Sequence, residues 1–150
     1  MNTGEKGFCF EREFAKLLGR ELFNDKEVFW RTPSSGARAT TNKSNVQTGD
    51  LLAVKDIGKP ICDKYYFELK NRKLKLNDML ELFFYLQNNH IRNGKIIEWL
   101  LKTKREAKVL NKIPVLIMKI NYYGIIVVID NQLIPVDSFI RRLKNETAKM

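Results

Sequence analysis

Apolar residues recur at helical spacing near the start of the chain. Phe10, Phe14, Leu17, Leu18 and Phe23 share one side of the stretch from Gly7 to Phe23, with Glu11, Arg12 and Lys16 beside them. This predicts an amphipathic helix that Asn24-Asp25 ends. Glu27 to Arg31 is rich in β-formers and predicts a short strand, closed by Thr32-Pro33. Ser34 to Gly49 is polar and nearly free of large apolar groups. A structureless segment of this length inside a compact domain is usually functional or mobile. Asp50 to Val54 and Tyr65 to Lys70 predict two more strands, with a turn at Gly58-Lys59-Pro60. Asn77 is placed to cap a helix running through Asn89, with Asp78 favourable in its first turn. Leu76, Met79, Leu80, Leu82, Phe83, Phe84 and Leu86 give that helix a wide apolar face.

Ile96 to Leu110 predicts another helix. Ile113 to Ile120 and Gly124 to Ile129 predict two strands joined by a turn at Asn121 to Tyr123. Asp137 is a candidate cap for a last helix, Ser138 to Lys144. Strands and helices alternating in this order predict an α/β fold: a mixed central β-sheet flanked by helices on both faces. The 150 residues fit a single domain over 1–150.

Charge narrows the class of partner. The chain holds 27 Lys and Arg against 17 Asp and Glu, a formal net charge of +10. A small domain this basic favours a polyanion, because each phosphate it neutralises releases a condensed counterion. Two cysteines, Cys9 and Cys62, make neither a CxxC pair nor a disulfide framework, so a reducing cytoplasm is expected. Cys9, between Phe8 and Phe10, reads as a core residue. No run approaches the ~18 apolar residues of a membrane span. The single histidine, His90, rules out zinc sites built on several His ligands. It follows Gln87-Asn88-Asn89 and reads as a solvated helix end. Any phosphodiester chemistry here must rest on carboxylates and lysine.

Such groups occur in a suggestive arrangement. Gly49-Asp50 opens one strand and Glu68-Leu69-Lys70 ends another. Side chains alternate along a strand, so Glu68 and Lys70 share a face, and a neighbouring strand can bring Asp50 beside Glu68. Glu11 stands on the first helix. Carboxylates set close together repel unless a divalent cation screens them, and hard oxygen ligands suit Mg²⁺ or Mn²⁺. Such an ion polarises a phosphoryl oxygen and acidifies bound water. Lys70 can orient that water or stabilise charge building on the phosphate. An E-x-K triplet is common in a Lys-rich chain, and an ordinary Glu/Lys pair at a strand end is the alternative. Glu106-Ala107-Lys108 is a second copy, set aside because positions i and i+2 of a helix do not face each other. Arg72 and Lys73, in the run after Lys70, read either as a solvated face or as a phosphate track. Trp99 reads as a core or interface residue rather than a base-stacking platform.

The ordered set of segments resembles the PD-(D/E)xK nuclease superfamily, and within it the Holliday junction resolvases of archaea and of phages and viruses. It runs from Lys6-Gly7-Phe8-Cys9-Phe10-Glu11-Arg12-Glu13-Phe14 through Arg31-Thr32-Pro33-Ser34-Ser35-Gly36 and Gly49-Asp50-Leu51-Leu52 to Phe67-Glu68-Leu69-Lys70 and Ile113-Pro114-Val115-Leu116. Gly49 stands where many members have Pro. The resemblance implies a restriction-endonuclease-like core. It implies that Glu11, Asp50 and Glu68 are metal-site carboxylates and Lys70 the catalytic lysine. It implies that Arg12 and Arg31 hold phosphates and that Ser34 or Ser35 meets the scissile strand. It also implies a homodimer. Arg38 and Lys43, in the polar stretch, are expected to order that stretch on DNA. The expected activity is Mg²⁺- or Mn²⁺-dependent endonucleolytic cleavage of DNA, selective for branched structures. The alternatives are a restriction-type or general nuclease of the same superfamily, and a basic nucleic-acid-binding module without catalysis.

Overall fold

The computed structural model describes residues 2–33, 49–88, 94–121 and 124–149. The chain opens with helix α1, Thr3–Phe23. It starts before the first apolar repeat because a capping box sets the boundary. Asn2 Oδ1 accepts the Glu5 N–H at 2.9 Å, and Glu5 Oε2 accepts the Asn2 N–H at 3.0 Å. Asn24, in the left-handed region at φ 52°, ends the helix. Strand β1, Phe29–Arg31, pairs antiparallel with β2, Leu51–Ala53, with Trp30 opposite Leu52.

A turn at Gly58-Lys59-Pro60 is corrected by the structure. A 3₁₀ turn, Asp56–Gly58, runs directly into a short helix α2, Lys59–Lys64. Pro60 lies in the first helical turn, where its missing N–H has no partner to lose. Strand β3, Tyr65–Asn71, lies parallel to β4, Ile113–Ile120. β5, Gly124–Ile129, pairs antiparallel with β4, and β6, Gln132–Pro135, with β5, in the order β3-β4-β5-β6. β6 has no counterpart among the expected strands. It exists because Asp130 and Asn131 both adopt positive φ, 53° and 58°, the two-residue turn that matches the twist of a hairpin.

Helices α3, Leu76–Asn88, and α4, Lys95–Val109, connect β3 to β4, and α5, Val136–Thr147, closes the chain. Two expected caps are corrected. At α3 the Asp78 carboxylate, not Asn77, takes the Lys75 N–H at 3.0 Å. At α5 Pro135 holds the cap position and Asp137 lies in the first turn.

Strand alternation divides the core in two. Phe67, Leu69, Val115 and Ile117 face α1 and α5 with Phe10, Phe14, Leu18 and Phe139. Leu116, Met118 and Val128 face α3 and α4 with Leu82, Ile96, Ile97 and Leu100. The expected architecture is therefore present: a mixed four-stranded sheet flanked by helices, with a restriction-endonuclease-like form. Cys9 is only half-buried, whereas Cys62 is buried and its thiol is pushed up to about 12 by desolvation. No described helix is long and apolar enough to cross a membrane.

Candidate active site

Two short backbone links attach the β1–β2 hairpin to the edge of β3. Gly49 bridges Phe67 in parallel, and the Asp50 N–H donates to the Phe67 carbonyl at 2.8 Å. Gly49 has φ +64°, and a Cβ there would stand 2.6 Å from the Phe67 carbonyl oxygen. Proline, locked near φ −65°, is incompatible with this position, and glycine suits it for both reasons. Thr32 N–H donates to the Asp50 carbonyl at 2.9 Å, which ties the end of β1 to the same point.

Three carboxylates are buried here: Glu11 at 9% exposure, Asp50 at 7% and Glu68 at 6%. Asp50 Oδ2 accepts the Leu69 N–H at 2.8 Å. Lys70 Nζ lies 2.9 Å from Glu68 Oε1, as strand alternation requires of residues two apart. Arg31 Nε donates to Glu11 Oε2 at 3.0 Å, joining α1 to β1. The Arg31 guanidinium also lies 4.2 Å from the centre of the Phe8 ring. Phe8 and Glu11 are three apart on α1, so one helical face holds both the edge and the face of the arginine.

The electrostatics report crowding. Desolvation first, and then the Glu68 and Glu11 charges, raise the Asp50 pKa to about 7 against the opposing pull of the Leu69 N–H and Lys70. Glu11 is also raised by burial, against the pull of Arg31, and it feels both Glu68 and Lys70. Glu11 of α1, Asp50 at the start of β2, and Glu68 and Lys70 of β3 therefore act on one another. A buried carboxyl that ionises only near neutrality marks a site short of positive charge. The donor set, three hard carboxylates, fits a divalent cation of the Mg²⁺ or Mn²⁺ kind. Among the described residues, however, no three carboxylate, cysteine or histidine side chains already converge in the geometry that holds an ion. Arg31 and Lys70 stand on two of the carboxylates a cation would take.

Arg12 is exposed on α1, and Arg72 and Lys73 are exposed in the segment after β3. Ser34, Ser35, Arg38, Lys43 and His90 lie outside the described residues. Two aromatic residues that no sequence motif places at the site lie beside it. Phe8 supports Arg31, and Trp99 of α4 lies 5.6 Å from Lys70 Nζ, ring centre to nitrogen. Trp30, adjacent to Arg31 on β1, is turned to the opposite face by strand alternation.

The sequence model of a family described as "Phage putative PDDEXK endonuclease" matches residues 2–146. No curated protein and no solved structure matches the chain.

Proposed function

The chain belongs to this phage PDDEXK endonuclease family, and from that premise we propose that it is a divalent-metal-dependent DNA endonuclease whose centre is Glu11, Asp50, Glu68 and Lys70. The observation that supports the reading is that three buried carboxylates, from α1, the start of β2 and β3, feel one another's charge and that of Lys70, which pairs with Glu68. Asp50 and Glu68 would hold Mg²⁺ or Mn²⁺, with Glu11 free to join once it leaves Arg31. When bound, such an ion acidifies water and withdraws charge from a phosphoryl oxygen.

The chain's own groups supply the rest. Lys70 places a fixed ammonium beside Glu68, where it can orient a water or meet charge building on the phosphate. Nε of Arg31 is committed to Glu11, which leaves its terminal nitrogens to meet a phosphate. Arg12, Arg72 and Lys73 are exposed, as backbone-phosphate contacts require. Ser34, Ser35, Arg38 and Lys43 complete the proposed DNA contacts. We read residues 1–150 as one nuclease domain, phage-encoded and active in the host cytoplasm.

For substrate we propose branched DNA, cut by a homodimer. A four-way junction offers two equivalent scissile phosphates, and a two-fold dimer offers two equivalent centres. The uncharged, half-exposed face of α3 supports the dimer.

The test is a cleavage panel of four-way, flap, duplex and single-stranded DNA, with Mg²⁺ and with EDTA. Asp50→Ala and Glu68→Ala should abolish cleavage and retain DNA binding. Lys70→Ala should lower the rate by ~10²–10³ while affinity changes little. Near-wild-type cleavage by either carboxylate variant would refute the site. DNA binding that never leads to a cut, and that ignores EDTA, would leave only a basic binding module.

A further inference from the structure

We propose that Trp99 is a positioning residue for the Lys70 ammonium, an inference that rests on the nuclease reading above. Tyr66, Glu68 and Lys70 are two apart along β3 and share one face. α4 packs on that face. β3 and β4 run parallel, and the chain returns between them through α3 and α4.

Trp99, Thr103 and Glu106 stand at i, i+4 and i+7 of α4 and form one stripe. Two cross-links set its register. The Tyr66 hydroxyl donates to Glu106 at one end. The Trp99 ring stands 5.6 Å from Lys70 Nζ at the other. Seven residues of helix rise about 10.5 Å and four of strand about 13 Å, so the two contacts match in length and in opposed direction. Between them Thr103 is fully buried, and its hydroxyl donates to the Trp99 carbonyl at 2.6 Å. Tyr66 and Glu106 take no part in the proposed chemistry. Their bond instead locks the helix that delivers the indole.

Lys70 needs a second hold. Its ion partner, Glu68, is one of the carboxylates the site offers to a cation, so an ammonium tied to Glu68 alone would follow wherever that carboxylate turned. A lysine side chain is long and free to rotate. The face of the Trp99 indole attracts the same ammonium without carrying a charge that a metal would claim. Lys95 brings a second ammonium within 5.9 Å of the ring centre, so the indole organises two cations at the edge of the site.

Trp99→Leu, Trp99→Phe, Lys70→Ala and Trp99→Leu/Lys70→Ala separate positioning from packing. Single-turnover and steady-state cleavage should show Trp99→Leu losing about tenfold in kcat with KM for DNA unchanged. Trp99→Phe should recover most of that loss. In the Lys70→Ala background the leucine change should cost nothing further. In the metal-free protein, the Lys70 methylene protons should carry an indole ring-current shift that Trp99→Leu removes. An equal loss from Trp99→Leu with and without Lys70, a change confined to KM, or unmoved Lys70 shifts would each overturn the positioning role. A wild-type protein that cuts no DNA would instead overturn the nuclease reading itself.

Discussion

Asp50 accepts the Leu69 N–H at 2.8 Å, so the strand that carries Glu68 also fixes the carboxylate beside it. That bond favours the charged form, yet burial and the Glu68 charge outweigh it and lift the Asp50 acid to about 7. The same acid in an unfolded chain ionises near 3.8. Between about pH 4 and about pH 7 the folded protein therefore keeps a proton that the unfolded chain has lost. Asp50 contributes stability below that window and loses it as pH rises through the window. The melting temperature of metal-free Asp50→Asn should consequently fall less than wild type between these limits, and should exceed it at about pH 8. The amide still accepts the Leu69 bond and never charges. Parallel melting curves for the two proteins across that range would show that another group titrates.

A cation that binds only the folded state stabilises by mass action, by about 2.7 kcal/mol at 100 times its dissociation constant. Ligation requires Asp50 to be ionised, so Mg²⁺ or Mn²⁺ should raise the melting temperature more at about pH 8 than at about pH 6. Binding near neutrality should also release a proton. Asp50→Asn and Glu68→Gln should lose most of the effect, and EDTA should reverse it in the wild type. Calorimetry in two buffers of different ionisation enthalpy counts the proton. Metal stabilisation that persists in both variants would place the ion elsewhere.

The ion pair between Arg31 and Glu11 has both side chains nearly enclosed, at 12% and 11% exposure. Removing one partner strands the other charge. Arg31→Met should therefore destabilise the metal-free protein by about 3 kcal/mol in urea denaturation. Glu11→Gln/Arg31→Met should recover part of that loss, since no buried charge remains. Strictly additive losses would mean that the pair does not act as a unit.

What the sequence made legible follows from the range of each signal. α1, α4 and β3 to β5 are long and periodic, and their boundaries moved by only a few residues. α2, only six residues long, was hidden because it begins inside Gly58-Lys59-Pro60, which reads as a turn, and β6 because its hairpin turn has no glycine. The pairing of Glu68 with Lys70 needed only strand alternation. The approach of Asp50 to Leu69 needed one correct guess about a neighbouring strand. Arg31 and Glu11 are twenty residues apart on different elements, and Trp99 and Lys70 twenty-nine apart. No local pattern encodes such contacts, because they depend on how α1 and α4 seat on the sheet. Gly49 is instructive in the same way. Its place in the family pattern is often proline, but the left-handed turn that brings Asp50 onto β3 excludes proline here.

The exposed positions of α3 are Leu76, Asn77, Leu80, Phe83, Phe84, Gln87 and Asn88, and none carries a charge. Leu76 is 74% exposed, and Phe83 and Phe84 nearly half. Two copies of a +10 protein repel, so a surface that brings them together must keep their cations apart. A neutral apolar face does this, and DNA, which needs cations, has no use for it. Large apolar patches on a lone domain mark interaction sites. Leu80→Glu/Phe83→Glu should therefore convert a dimer to a monomer, read by light scattering at micromolar concentration. Each monomer retains its own carboxylates and Lys70, so the variant should still nick DNA. It should lose the coordinated second cut of a four-way junction, seen as nicked intermediates that accumulate on a supercoiled cruciform plasmid. A wild-type protein that is monomeric on and off DNA, yet cuts both strands together, would refute the symmetric mechanism and leave the nuclease centre untouched.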